Sequence, residues 1–117
     1  MKSVRVDDFT DASAWLPVAS GEAQLQLTSE ASERGSALRL DFDFKGGGGF
    51  VVARREIAFN FPEVYAFLFR VRGLAPANKF EFKLVDPSGK NVWRYQEEAF
   101  AFSESGREMV LGPRALE

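Results

Sequence analysis

Residues 79–97 constrain this chain more than any other stretch, because their side chains alternate at period two on either side of a marked turn. Lys79-Phe80-Glu81-Phe82-Lys83-Leu84-Val85 alternates apolar and charged, Asp86-Pro87-Ser88-Gly89-Lys90 supplies turn chemistry, and Asn91-Val92-Trp93-Arg94-Tyr95-Gln96 returns. That pattern is the signature of an antiparallel hairpin. With Pro87, Ser88 and Gly89 in a type I turn closed by a left-handed glycine, Asp86 pairs with Lys90, Leu84 with Val92, Lys83 with Trp93, and Glu81 falls opposite Tyr95. In that register Phe80, Phe82, Leu84 and Val92 face a core, while Glu81, Lys83, Trp93 and Tyr95 share the other face. A register shifted by one residue turns both aromatics inward instead.

The same period runs through the rest of the chain, and no stretch carries a convincing period of 3.6. Strands are expected over residues 3–6, 23–28, 37–44, 65–72, 99–102 and 108–111, with one or two more over 50–59. Leu25, Leu27, Leu38, Leu40, Phe42 and Phe44 are placed inward and Arg39, Asp41 and Asp43 outward. The four glycines 46–49 are expected to form a hairpin turn. They lack the following helix, lysine and hydroxyl of a phosphate-cradling loop. Eight or nine short strands with polar turns indicate an all-β antiparallel sandwich or jelly roll.

The chain has 117 residues, 45% of them hydrophobic, which suits one domain over residues 1–115 with a continuous core. Residues 116–117 read as vector-derived and Met1 as an added start, so the expected parent is a larger protein. Fifteen basic against seventeen acidic residues give a net charge of -2, which argues against a general nucleic-acid binder. Cysteine is absent, excluding disulfides and thiolate metal sites. No segment reaches the roughly 18 apolar residues of a membrane span. Histidine is also absent, which removes Ser-His-Asp and Cys-His catalysis and histidine-bound metals. Glu56, Glu81 and Glu97 remain formal candidates for a glycosidase pair. Their expected role is a solvated strand face, so a non-catalytic chain is expected.

Twelve phenylalanines against two tryptophans and two tyrosines separate core from site. Phenylalanine has no polar edge and suits the inner layer, whereas a tryptophan or tyrosine ring stacks on a pyranose while its N–H or O–H bonds a hydroxyl. Trp93 and Tyr95 are therefore the leading binding candidates.

Asp7-Asp8-Phe9-Thr10-Asp11 followed by Trp15, then residues 35–42, the aromatic strand 65–73 and the turn 84–89 come in the order found in jelly-roll carbohydrate-binding modules. The chain resembles such modules of galactose-binding-like fold over nearly its whole length. It is most similar to the module preceding discoidin-type (coagulation factor type) domains in large bacterial proteins, often beside glycoside hydrolase regions. The resemblance implies binding of polysaccharide or oligosaccharide on the concave sheet, with Trp93 and Tyr95 stacking and Arg54, Arg70, Glu81, Lys83 and Asn91 supplying hydrogen bonds. Cross-strand charge pairing is the alternative for Arg54 and Arg70. The resemblance also implies an extracytoplasmic parent and a structural calcium near Asp7, Asp8 and Asp11. Turn formation and capping by these aspartates is the competing reading. Such modules end in a strand with paired acids. None follows Leu111, so the last strand is expected to be missing, leaving an edge free for self-association. The aspartate-phenylalanine opening is shared with the complex I intermediate-associated family, which implies a protein-interaction or assembly module as the second functional reading.

Overall fold

Alternation at period two is realised as eight strands, all paired antiparallel, with one short 3-10 turn at Ala12–Ala14 and no α-helix among the described residues. The computed structural model describes residues 4–33, 35–58 and 65–116. Ser3 and Phe59, at the ends of two expected strands, and the terminal residues Met1 and Glu117 lie outside them. The chain divides into two compact units, Met1–Phe59 and Asn60–Glu117.

In the N-terminal unit, β1 (Leu16–Ala19) pairs with β4 (Val51–Arg54), and β2 (Gln24–Ser32) with β3 (Gly35–Asp43). The strand expected over residues 3–6 is absent from residues 4–6. Just beyond it, the carboxylates of Asp7 and Asp8 accept the N–H groups of Phe9 (2.7 Å) and Thr10 (3.0 Å), folding the chain into local turns. Strand β1 was not among the expected strands, and it contains Pro17. Pro17 is tolerated there because β1 has only one partner, β4, so its missing N–H costs no second ladder.

Strands β2 and β3 follow the expected sorting. Leu25 lies opposite Phe42 and Leu27 opposite Leu40, so the leucines and Phe42 share one face, while Arg39, Asp41 and Asp43 take the other. The glycines 46–49 do not form a hairpin turn, since β4 joins β1 rather than β3. They carry the chain from one ribbon to the other. Gly49 has φ +135°, and a Cβ there would lie 2.7 Å from the Ser20 hydroxyl. Only glycine lets the start of β4 settle against Ser20, whose hydroxyl accepts the Phe50 N–H at 2.8 Å.

In the C-terminal unit, β5 (Phe67–Val71) pairs with β8 (Arg107–Leu111), and β6 (Asn78–Val85) with β7 (Val92–Phe100). The two ribbons meet through phenylalanine rings: Phe67 to Phe82 at 5.3 Å, Phe69 to Phe82 at 5.1 Å, and Phe69 to Phe80 at 6.5 Å between centroids, while Phe80 and Phe100 lie 4.9 Å apart within the β6–β7 ribbon. Phe100, Met109 and Leu111 form the buried cluster beneath them. Residues 99–102 are not a strand of their own. Strand β7 continues to Phe100 through a bulge, in which Phe80 pairs with Glu97 and Asn78 with Phe100. The extra residue returns Phe100 to the core face, which strict alternation from Glu97 would have denied it.

The hairpin register differs from the expected one by a single residue. Val85 pairs with Val92, Leu84 with Trp93, Lys83 with Arg94, Phe82 with Tyr95, and Glu81 with Gln96. The cause lies in the turn. Asp86 pairs with Asn91 rather than Lys90, its N–H donating to the Asn91 carbonyl at 3.1 Å while the Asn91 amide donates to its carboxylate at 2.6 Å. Ser88 adds a hydroxyl bond to the same carboxylate at 2.7 Å, and Gly89, at φ +76°, closes the turn on the Asp86 carbonyl. One more residue in the loop turns every side chain of β7 over.

Candidate functional site

The shifted register redistributes the expected hairpin site. Trp93 and Tyr95 do not share a face with Glu81 and Lys83. They lie on the face of Phe82 and Leu84, and the opposite face carries Glu81, Lys83, Arg94 and Gln96. Val92, expected inward, turns out with Val85.

The two hairpin aromatics have different surroundings. Tyr95 is half-buried against the core cluster, and its hydroxyl donates to Glu97 at 3.1 Å. Burial, and next the neighbouring Glu97 carboxylate, push its phenol pKa up. Glu97 is gripped by Arg107, whose two terminal nitrogens donate to the two carboxylate oxygens at 2.7 and 3.1 Å. That fork holds the Glu97 carboxyl below the usual carboxylate range. Arg107 also lies over the Phe100 ring at 4.9 Å, so the network caps the core. Trp93 is 42% exposed, and its indole N–H has no partner among the described residues. The other tryptophan is spent structurally: Trp15 donates to Asp7 at 2.7 Å and leans on Phe9.

The other expected polar ligands fall in separate places. Glu81 sits between Lys79 (3.1 Å) and Lys83 (3.2 Å) on the outer face of the hairpin. Partial burial works against its ionisation, but hydrogen bonds from the two ammonium groups outweigh it and hold the carboxyl low. Asn91 is occupied in the turn with Asp86. Arg70 lies on β5, donates to the Ser105 carbonyl and lies against Gly106, clamping the loop before β8. Arg54, at the end of β4 opposite Leu16, is exposed and has no ion pair among the described residues.

The three aspartates expected near a calcium each serve the local backbone. Asp11 caps the 3-10 turn through the Ser13 N–H at 2.9 Å, and Asp8 holds Thr10 through both its N–H and its hydroxyl. Among the described residues no group of three or more acids is placed to share a metal ion. Asp7 has the densest set of partners. It accepts from Phe9 N–H, from the Trp15 indole and from the Arg55 guanidinium, and its side chain is only 9% exposed. Partial burial opposes its charge, but these donors and the Arg55 charge prevail and lower its pKa.

Sequence reading missed Arg55 as the partner of Asp7. The two are far apart in the chain, and only the β1–β4 pairing brings the end of β4 to the N-terminal turns. Of the formal acids, Glu97 is locked to Arg107 and Glu81 to two lysines on the opposite face of the hairpin; Glu56 stands exposed beside Arg55 in the N-terminal unit. No helix among the described residues is long and apolar enough to cross a membrane. No protein-family model matches the chain, and neither a curated protein nor a solved structure matches it.

Proposed function

We propose that this chain is a non-catalytic carbohydrate-binding module of jelly-roll, galactose-binding-like type, which holds a larger polysaccharide-acting protein on its glycan. The observation that carries the reading is Trp93, a large flat ring 42% exposed beside the hairpin turn. Its indole N–H, without a partner among the described residues, stands ready for a sugar hydroxyl. Burying such a ring in protein alone would have been cheaper than leaving it in water. Its cross-strand neighbour is Leu84, and Asp86 and Asn91 follow on the same face at the turn. An apolar floor bordered by a carboxylate and an amide suits the two sides of a pyranose. Tyr95 supports this platform from the core side and is not itself a stacking ring.

A screen of neutral oligosaccharides and polysaccharides tests this, followed by titration of any ligand against wild type and Trp93→Ala. The expected result is binding that the folded variant loses. Undiminished binding by Trp93→Ala would remove the platform from the reading. The second reading, a protein-assembly module, draws on the sheets themselves: each has two strands, so each strand keeps an edge able to accept another chain. Absence of glycan binding together with concentration-dependent association in light scattering would favour it.

A further inference from the structure

The geometry points to a second site in the N-terminal unit, at Arg55, that takes the carboxylate or sulfate group of an acidic polysaccharide. This rests on the carbohydrate reading and adds a substrate class to it. Arg55 is pre-oriented from behind: its Nη1 donates to Asp7, whose carboxylate is fixed by the Phe9 N–H and the Trp15 indole, both at 2.7 Å. The Asp7 side chain is 9% exposed, whereas that of Arg55 is 29% exposed, and no other hydrogen bond engages its guanidinium among the described residues. A guanidinium has five N–H donors, so most of the Arg55 fork is left for a ligand. A fork held in place by a half-buried carboxylate loses little freedom on binding two oxygens at once.

Space and charge adjoin this group on both sides. Arg55 lines an open hollow of about 290 Å³ together with Arg5 and Asp8, and another of about 410 Å³ together with Arg54, Leu16 and Glu56. Two more guanidinium groups flank the fixed one: Arg54 has no ion pair among the described residues, and Arg5, after the Thr10 hydrogen bonds, helps to hold the Asp8 carboxyl low without forming an ion pair. The acids do not cancel them equally. Asp7 is consumed by Arg55, one oxygen of Asp8 is taken by Thr10, and Asp11, which also feels the Arg55 charge, is held by Ser13. Glu56 has no hydrogen bond or ion pair among the described residues and competes with an incoming anion. The backbone adds a further sign of pre-organisation. Phe9 has φ 61°, a left-handed conformation uncommon for a bulky residue, and the hydrogen bond from its N–H to Asp7 holds it there.

The test is calorimetric titration of the whole chain with tetragalacturonate and a heparin octasaccharide, beside neutral cellotetraose and inorganic sulfate, at low and physiological salt. The acidic oligosaccharides should bind more tightly than sulfate alone, and less tightly as salt rises. Arg54→Ala, which breaks no hydrogen bond or ion pair among the described residues, should weaken them by about tenfold, and Glu56→Gln should strengthen them by about threefold. Unchanged affinity in both variants overturns the site. Equal affinity for free sulfate, or for a short DNA duplex, overturns the assignment to a glycan. Trp93→Ala separates this inference from the reading beneath it: loss of neutral-glycan binding with acid binding insensitive to Arg54 leaves the module standing and the arginine site refuted.

Discussion

The two units are built from the same parts, a pair of two-stranded antiparallel ribbons each, yet they are held together differently. In the C-terminal unit the ribbons face one another through phenylalanines, and Phe100 is fully buried with Met109 and Leu111 at 4% and 3% exposure. In the N-terminal unit no described residue is buried to that degree, and Phe42 remains 38% exposed. Its fixed points are polar: Asp7 to Arg55 and Trp15, Asp11 to Ser13, and Ser20 to Phe50. Alternation at period two therefore makes a ribbon, but it does not make a core. A core needs large rings on both ribbons at matching heights, as Phe67, Phe69, Phe80 and Phe82 provide.

The largest expected effect tests that contrast directly. Phe100→Ala should cost about 3–5 kcal/mol in urea unfolding, and Phe42→Ala only about 1 kcal/mol, because much of its ring stays in water in the folded chain. Equal losses would erase the distinction between the units. Next in size is Gly49→Ala, which places a Cβ against Ser20 at positive φ. It should cost about 1–3 kcal/mol, read as faster hydrogen exchange at the Ser20 and Phe50 amides with the C-terminal amides unchanged.

The smallest effect sharpens the polar side of the comparison. The Asp7 carboxyl is held below its ordinary value of 3.8, so the unfolded chain takes up this proton before the folded one does. The stabilisation is fully present above that ordinary value and is lost as pH falls through the lower, folded one. Unfolding followed below about pH 4 should therefore show the N-terminal unit weakening, and Asp7→Asn should flatten that dependence while costing on the order of 1 kcal/mol at neutral pH. An unaltered acid profile in the variant would mean that another group sets it.

Much of the strand content was legible because burial writes itself into alternation. The facing of Leu25, Leu27, Leu40 and Phe42 against Arg39 and Asp41 needed no tertiary information, and the same holds for Phe67, Phe69 and Val71 on β5. Strand β1 was not legible, since Pro17 looks like a breaker until it is known to lie on a strand with a single partner. The candidate site fared worse than the strands around it. Glu81, Lys83, Trp93 and Tyr95 each lie on the hairpin as expected, but the Asp86–Asn91 pair divides them between two faces. Arg54 lies in the N-terminal unit and Arg70 clamps a loop.

By itself, then, the sequence determined the class of structure: antiparallel strands, phenylalanines inward, turns where aspartate, proline and glycine collect. These follow from interactions between residues close in the chain, where side-chain period and turn chemistry decide. The tertiary structure decided register, partner and environment. Whether Trp93 meets Lys83 or Leu84 depends on a single residue in a loop, and whether Asp7 finds Arg55 depends on which strand β4 joins. Both are settled by hydrogen bonds and ring contacts between segments distant in sequence, whose energies no local pattern records.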